Sequence, residues 1–188
     1  MDKYIFHKKK ALDYQSCNHI IDLFEKSNPT LRKEHDYYGI YPHITGDLRF
    51  SFIKPLLTKY IDEYVEKHRF LQFVCYHWDI EDLFNIQKYN PGQYYDSMHS
   101  GGEGFDVGHM EHGAEDWNSR RVLGWMFYLN DIKKGGGTRW PQQRFTSKPR
   151  AGDLYIWPAG WTHSHYGIPA PKEIKYIITG WCSWNDLE

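Results

Sequence analysis

The sequence has few cysteines, no long apolar run and no excess of charge of either sign. The three cysteines among its 188 residues are far apart and odd in number, which suggests neither a disulfide framework nor a Cys-x-x-Cys zinc motif. We therefore expect a reducing, cytoplasmic setting. No apolar run approaches the roughly 20 residues that a membrane span needs. The start, MDKYIFHKKK, lacks the apolar segment of a signal peptide, so we expect no membrane association.

The net charge of −1 argues against a protein that binds nucleic acid through a strong basic field. Aromatic residues, by contrast, make up 18% of the chain, which excludes disorder over most of its length. The length fits one domain, which we expect to span residues 1–188. Eleven histidines are many for this length, and they are the first sign of metal chemistry.

Two segments in the N-terminal third repeat apolar residues at helical spacing. The first covers residues 16–27, with Ser16 as the expected N-cap, and the second covers residues 53–67. We therefore predict that residues 1–69 form a mostly helical support.

The rest of the chain consists of short runs rich in aromatic and β-branched residues, separated by glycine-containing turn signals. These runs are FLQFVCYHW, LFNIQKYN, RVLGWMFYLN, DLYIWP and IKYIITGWCSW. Short strands with no helical pattern between them are typical of an antiparallel sandwich or barrel. We predict a mainly β, α+β fold in which about eight strands of residues 70–188 form a jelly roll, or double-stranded β-helix of the cupin type, flanked by the N-terminal helices.

The strongest chemical pattern is the triplet His109-Met110-Glu111. On a strand, residues i and i+2 face the same side, so this imidazole and this carboxylate would point together into the barrel. A second histidine comes near the C-terminus, in WTHSHYG, where His165 and His163 are alternatives. Two histidines and one carboxylate on one face of a cavity form the facial triad that holds non-haem Fe(II).

A single lysine, Lys175, lies on the strand after that histidine, ten positions beyond His165. An ammonium group buried in a barrel needs an anionic partner. A dicarboxylate that chelates a metal at one end would place its other carboxylate near this lysine. The alternative is that Lys175 faces outward from its strand.

The segment from Phe84 to Trp184 resembles the 2-oxoglutarate- and Fe(II)-dependent dioxygenases, specifically their prolyl-4-hydroxylase-like branch. The matching motifs, in the family's order, are NIQKYNPG, GFDVGHME, RRVLGWMFYLND, GGGTRWP, AGDLYIWPAGWTHSHYG and KYIITGW. The resemblance implies an enzyme that uses Fe(II), 2-oxoglutarate and O2, with ascorbate as a further cofactor. It also implies hydroxylation of an aliphatic C–H, such as that of a prolyl residue, with release of succinate and CO2. The substrate would be a peptide, a protein or a small molecule.

The resemblance also implies roles for individual residues. The iron ligands that it implies by position are His109, Glu111 and His165. Lys175 would pair with the distal carboxylate of 2-oxoglutarate, and Tyr89 would donate a hydrogen bond to it. Thr179 is a weaker candidate for the same pocket.

A second register is open for the first histidine. Counting forward from Tyr89 by the family's usual gap reaches His99, which has Gly101 instead of a carboxylate at i+2. Counting backward from RRVLGWMFYLND reaches His109, which we prefer because it has the carboxylate. An H-x-G triplet resembles the iron halogenases, so a halogenase using His99 and Gly101 is the second hypothesis. A non-catalytic, cupin-like binding protein is the third.

Overall fold

The computed structural model describes residues 3–33, 36–42, 47–74, 78–95, 97–101 and 120–184. The helices are α1 (Tyr14–Lys26), α2 (Ile53–Lys67) and α3 (Phe70–Val74), with a 3-10 turn at Trp161–His163. The strands are β1 (Phe6–Lys8), β2 (Thr30–Arg32), β3 (Tyr37–Ile40), β4 (Trp78–Ile80), β5 (Asn85–Tyr89), β6 (Arg121–Tyr128), β7 (Thr138–Trp140), β8 (Phe145–Thr146), β9 (Leu154–Pro158), β10 (Tyr166–Gly167) and β11 (Lys175–Trp184). Within these ranges, no helix is long and apolar enough to cross a membrane.

Both predicted helices are present, and α2 has the predicted bounds. The prediction of Ser16 as the N-cap of α1 is wrong, because Asp13 caps the helix instead. The Asp13 carboxylate accepts from the backbone N–H of Ser16 at 2.8 Å and from its hydroxyl at 2.7 Å. A carboxylate three residues before Ser16 thus satisfies an N–H that the first helical turn leaves without a partner.

The main sheet has the strand order β1-β9-β6-β11-β5-β3-β2, and β4 pairs with the end of β11. All of these described pairs are antiparallel. Three of the strands, β1, β2 and β3, come from the N-terminal third, so the prediction of mostly helical structure there was incomplete. The predicted strand FLQFVCYHW begins instead with the short helix α3.

The alternation of side chains along the long strand β11 separates two layers of the core. Ile178 and Cys182 pack on one face with apolar residues of α1 and α2. Ile177 belongs to the aromatic cluster on the other face, which includes residues of the second sheet, β10-β7-β8. The helices therefore cover one side of the main sheet, and the small sheet packs near the other side, as in a jelly roll with flanking helices.

Candidate active site

A cavity of about 550 Å³ lies on the face of the main sheet that the helices do not cover. Its walls include β5, β6 and β11, together with the loops that carry His99 and His165. A concave site of this size with a few converging polar groups is the usual form of a small-molecule site.

Two of the predicted histidines meet at one end of this cavity. The backbone N–H of His99 donates to the carbonyl of His165 at 3.0 Å, and that of His165 donates to the carbonyl of His99 at 2.8 Å. This isolated β-bridge brings the centroids of their imidazole rings to 4.3 Å. The ring of Tyr95 packs at 4.3 Å from that of His99, so the tyrosine-rich segment forms part of the wall beside the pair.

Hydrogen bonds to the backbone define the tautomer of both rings. Nδ1 of His165 lies 2.9 Å from the carbonyl of His163, and Nδ1 of His99 lies 2.9 Å from the carbonyl of Ser97. Because a carbonyl oxygen only accepts, each Nδ1 carries a proton, so in a neutral ring Nε2 is the nitrogen with the lone pair. Histidines that bind metals are commonly held in this way, so the pair fits a metal ion that takes nitrogen ligands, such as Fe(II).

His165 is also kept neutral by its surroundings. Burial, with a smaller contribution from the neighbouring His99, lowers the pKa of His165 to about 3. A neutral imidazole is the form that binds a metal ion.

The alternative ligand His163 has a different position in the fold. Its ring is buried, with Nε2 donating to the carbonyl of Lys3 at 3.0 Å and Nδ1 lying 3.0 Å from the hydroxyl of Thr162. Both ring nitrogens are therefore engaged, and His163 connects the 3-10 turn to the N-terminal segment.

The preferred ligands His109 and Glu111 lie outside the described residues. At Gly101, two positions after His99, an added Cβ would come within 2.6 Å of the indole nitrogen of Trp181. A carboxylate side chain at this position would therefore require Trp181 to move. In the part of the chain that the structure describes, no three His, Cys, Asp or Glu side chains form a metal site, and the two imidazoles are the metal-binding groups it supplies.

Lys175 lies on the cavity side of β11, as expected, and does not face outward. It is only 3% exposed and is paired across the strands with Tyr89. Burial lowers its pKa to about 7. No carboxylate among the described residues forms an ion pair with it, so this end of the cavity fits an anionic ligand.

The two other predicted cofactor-binding residues line the same cavity. The hydroxyl of Tyr89 donates to Oε1 of Gln87 at 2.6 Å, and the hydroxyl of Thr179 donates to the carbonyl of Trp125 at 2.9 Å. Burial keeps the pKa of Tyr89 well above its usual value, so its hydroxyl stays protonated. Both hydroxyl protons are engaged within the protein, and the role of these two residues in binding a co-substrate stays a prediction.

The sequence model of the 2OG-Fe(II) oxygenase superfamily matches residues 84–183, which include β5, the histidines of the cavity and Lys175. The chain belongs to this superfamily. Membership implies Fe(II), 2-oxoglutarate and O2, and the imidazole pair and the buried Lys175 fit a metal ion and a dicarboxylate.

Three proteins illustrate what this oxygenase resembles. It is 30% identical over 130 residues to a probable prolyl 4-hydroxylase 9 of Arabidopsis thaliana; the match covers 57% of this chain and 42% of the plant protein, so the chain spans less than half of that relative. The viral collagen prolyl hydroxylase of Paramecium Bursaria Chlorella virus-1, solved with 2-oxoglutarate, superposes with a TM-score of 0.74 at 18% identity, covering 98% and 97% of the two chains.

A prolyl hydroxylase of Trichoplax adhaerens, solved with a peptide fragment of hypoxia inducible factor, superposes with a TM-score of 0.61 at 16% identity. The superposition covers 96% of this chain and 83% of that chain. These two structural likenesses confirm the predicted jelly-roll fold of the oxygenase.

Two polar residues of the oxygenase cavity, Asn85 and Gln87, escape prediction from the sequence. They lie on β5 at positions i−4 and i−2 from Tyr89 and face the same side of the sheet. The strand pattern of NIQKY could have identified them. Side chains two and four positions before Tyr89 lie on the same face of the strand, so a pocket position for Tyr89 also predicts one for Gln87 and Asn85.

Arg121 and Trp181 fix the strand end next to Gly101. The guanidinium carbon of Arg121 lies 3.6 Å from the centroid of the Trp181 ring, and Nε donates to Glu81 at 3.2 Å. Arg121 also donates to the carbonyl of Gly101 at 3.3 Å. The oxygenase therefore holds Gly101 through its backbone while the indole fills the space where a side chain would be.

Proposed function

We propose that this oxygenase hydroxylates an aliphatic C–H of a prolyl residue in a polypeptide, with release of succinate and CO2. The observation that carries the proposal is a single cavity that combines two imidazoles in the metal-binding tautomer with a buried lysine. Bound Fe(II), with 2-oxoglutarate and O2, supplies the oxidising chemistry for such a reaction. The remaining tasks, namely binding, orientation and exclusion of water, belong to the chain's own residues.

In this proposal His165 holds the Fe(II) together with the first histidine, which is His109 with Glu111 as predicted from the sequence, or His99, whose ring lies 4.3 Å from that of His165. The Nδ1–H groups of His165 and His99 are bound to backbone carbonyls, which fixes the orientation of both rings. Lys175 binds the distal carboxylate of 2-oxoglutarate by a charge-assisted hydrogen bond, which is stronger than a neutral one. Its burial excludes competing water from the same position.

The prolyl substrate is supported by the names of the proteins that the chain resembles, which are prolyl hydroxylases from a plant, a virus and an animal. The same resemblances favour hydroxylation over the two other hypotheses, the halogenase and the non-catalytic binding protein. One structural observation is consistent with the halogenase hypothesis. The ring of His99 lies against that of His165, and Gly101, two positions after His99, has no carboxylate. A reaction with chloride present separates the two, since only a halogenase gives a chlorinated product.

The test is formation of succinate from 2-oxoglutarate, measured with and without Fe(II), in the presence of a peptide of Ala-Pro-Gly repeats. We expect iron-dependent succinate and a peptide that gains one oxygen atom, seen by mass spectrometry. His165→Ala and Lys175→Ala should abolish both products, because they remove a metal ligand and the anion-binding group. Lys88→Ala is the matched control, since this lysine also lies on the sheet but pairs with Glu25 outside the cavity.

Undiminished turnover in both His165→Ala and Lys175→Ala would contradict the proposal. The cytoplasmic setting expected from the cysteines remains a prediction, as does the single domain over residues 1–188.

A further inference from the structure

Gln87 has a buried side-chain amide that the protein engages at its oxygen only. The residue is 6% exposed and lines the cavity from β5. Its Oε1 accepts from the hydroxyl of Tyr89 at 2.6 Å. Its Nε2 makes no hydrogen bond with the described residues, and the packing leaves this atom accessible. Because buried polar groups are nearly always paired, an open N–H donor in a cavity points to an acceptor on a ligand.

Tyr89 fixes the orientation of this amide. A carbonyl oxygen only accepts, so the proton of Tyr89 points at Oε1 and the amide turns its N–H groups away from the tyrosine. On the two neighbouring strands, the residues opposite Gln87 are Ile177 and Gly39, and neither has a side-chain acceptor. The N–H groups of Gln87 are therefore left for the cavity.

The same tyrosine connects Gln87 with Lys175. The ammonium nitrogen of Lys175 lies 4.1 Å from the centroid of the Tyr89 ring, and the hydroxyl of that ring lies 2.6 Å from Oε1 of Gln87. Since the ring and the hydroxyl belong to one side chain, the ammonium and the amide are neighbours on the cavity wall.

A 2-oxoglutarate molecule held by Lys175 is long enough to reach this amide. Lys175 and Tyr89 form one cross-strand pair, and Ile177 and Gln87 form the next pair on the same face. The two pairs are about 7 Å apart along the strands. The four C–C bonds of 2-oxoglutarate, at about 1.5 Å each, span at most about 6 Å, and a hydrogen bond adds about 3 Å.

The chemistry of the two partners is complementary. At neutral pH, 2-oxoglutarate carries only oxygen acceptors, whereas Nε2 of Gln87 offers only donors. The two hydroxyls expected to bind the co-substrate give their protons to other groups, that of Tyr89 to Gln87 and that of Thr179 to the carbonyl of Trp125. The free donors on this part of the wall are thus those of the amide and of Lys175.

We propose that Gln87 is a co-substrate-binding residue whose side-chain N–H donates a hydrogen bond to 2-oxoglutarate, and that Tyr89 orients this amide instead of contacting the co-substrate itself. The inference rests on the proposed function in one respect, namely that Lys175 anchors the 2-oxoglutarate. The lysine attracts any carboxylate, whereas the amide adds a contact with a fixed direction. Gln87 therefore selects a ligand that has a second acceptor close to the carboxylate bound by Lys175.

The experiment measures binding of 2-oxoglutarate by calorimetry to the full chain, loaded with Fe(II) under anaerobic conditions. Gln87→Leu removes the amide at similar size, Tyr89→Phe removes only the hydroxyl, and the double variant measures the coupling between the two residues. Gln15→Leu, on the exposed surface of α1, is the matched control. The affinity of each variant for Fe(II) alone is measured as well, because loss of a co-substrate contact leaves it unchanged.

We expect Gln87→Leu to weaken binding of 2-oxoglutarate about 10–100-fold, the range for a hydrogen bond to a charged group, with Fe(II) affinity unchanged. Gln15→Leu should bind both as the parent protein does. Tyr89→Phe should have a smaller effect, because the amide loses its orientation but keeps its donors. The double variant should match Gln87→Leu, since no amide is then left to orient. Where Gln87→Leu does not fold, Gln87→Met serves for the same comparison.

Equal affinity of the parent protein and Gln87→Leu for 2-oxoglutarate overturns the inference. Losses that add up in the double variant overturn the orienting role, because Tyr89 then contacts the co-substrate directly. A loss of affinity for the Ala-Pro-Gly peptide with 2-oxoglutarate binding intact also overturns the inference and assigns the amide to the substrate. A parent protein that binds 2-oxoglutarate but leaves the peptide unoxidised contradicts the proposed function and not the role of Gln87.

Discussion

The ammonium nitrogen of Lys175 lies 4.1 Å from the centroid of the Tyr89 ring, to which the lysine is also paired across β5 and β11. An aromatic face stabilises a desolvated cation by about 2 kcal/mol, less than the several kcal/mol that desolvation of an ion costs. Among the described residues no carboxylate pairs with Lys175, so the rest of this desolvation cost is not compensated. The cavity therefore keeps a cation in place for an anionic ligand at the expense of the stability of the empty protein.

Replacing this lysine by an apolar residue should stabilise the ligand-free protein. We expect Lys175→Met to raise the free energy of unfolding at neutral pH by about 1–4 kcal/mol, because it removes a buried charge without a charged partner. The same variant should lose the stabilisation that 2-oxoglutarate gives to the parent protein. Thermal unfolding with and without 2-oxoglutarate measures both effects. Lys88→Met, whose ammonium pairs with Glu25, should show neither effect, and a less stable Lys175→Met would contradict the expectation.

The lowered pKa of Lys175 also predicts how stability changes with pH. Burial holds this pKa at about 7 in the folded protein, against the usual 10.5 in the unfolded chain. Between these values the unfolded state binds more protons, so the contribution of Lys175 to stability increases as pH rises from about 7 towards 10.5. Below about pH 7 both states are protonated and the destabilisation is complete.

The advantage of Lys175→Met over the parent should consequently shrink as pH rises, and unfolding curves from about pH 6 to about pH 9 test this. A difference that stays constant over this range would show that Lys175 keeps its usual pKa.

A close contact between two residues of the core predicts a sensitive position in β11. A Cβ added to Gly180 would overlap the indole of Trp125, a fully buried side chain. Gly180→Ala should therefore cost about 1–3 kcal/mol, the usual range for an overfilled core. Gly160→Ala is the control, because nothing lies within 4 Å of an added Cβ there and the backbone φ of −72° suits alanine. Chemical denaturation of both variants measures the difference, and equal stability would contradict the packing argument.

Most of the elements that could be predicted from the sequence are those with long, regular patterns. In the longer elements, the spacing of apolar residues is enough to predict the structure from the local sequence. These elements are helix α2 and the strands β5, β6, β9 and β11. The strands β1, β2 and β3 have three or four residues each, too few for a period, and they form because partners such as β9 and β5 lie next to them in the folded chain. Such strands depend on tertiary pairing, which local patterns do not contain.

The same distinction applies to the site. The resemblance to the oxygenase family implied pocket positions for Lys175 and Tyr89, and both residues line the cavity on strands whose patterns could be recognised in the sequence. Counting forward from Tyr89 reached His99 as the alternative to His109, but the contact between His99 and His165 comes from a β-bridge across 66 positions, which local sequence does not contain. Asp13 and Ser16 are both good capping residues, and only the side-chain geometry of the folded protein shows that Asp13 caps α1.

Metal binding separates the two registers for the first histidine. With His99 as a ligand, His99→Ala should weaken binding of Fe(II) by about 10–100-fold or more, since loss of even a residue that supports a ligand has such an effect. His109→Ala is the matched comparison and should leave the affinity near that of the parent. Anaerobic titration with Fe(II), followed by absorbance with 2-oxoglutarate present, measures both. The reverse result, with His109→Ala deficient and His99→Ala normal, would support His109 and Glu111 as the ligands.

The packing around Gly101 predicts that a carboxylate introduced there does not create a good third ligand. The Cβ of an Asp at this position would lie 2.6 Å from the Trp181 indole and 3.3 Å from the Ala159 side chain. We expect Gly101→Asp to shift the tryptophan fluorescence and to destabilise the protein by about 1–3 kcal/mol, without tighter binding of Fe(II). Combining it with Trp181→Ala opens the space, so the double variant should bind Fe(II) more tightly than Trp181→Ala alone. Tighter binding by the single variant Gly101→Asp would instead show that Trp181 moves aside readily and that position 101 can supply a ligand.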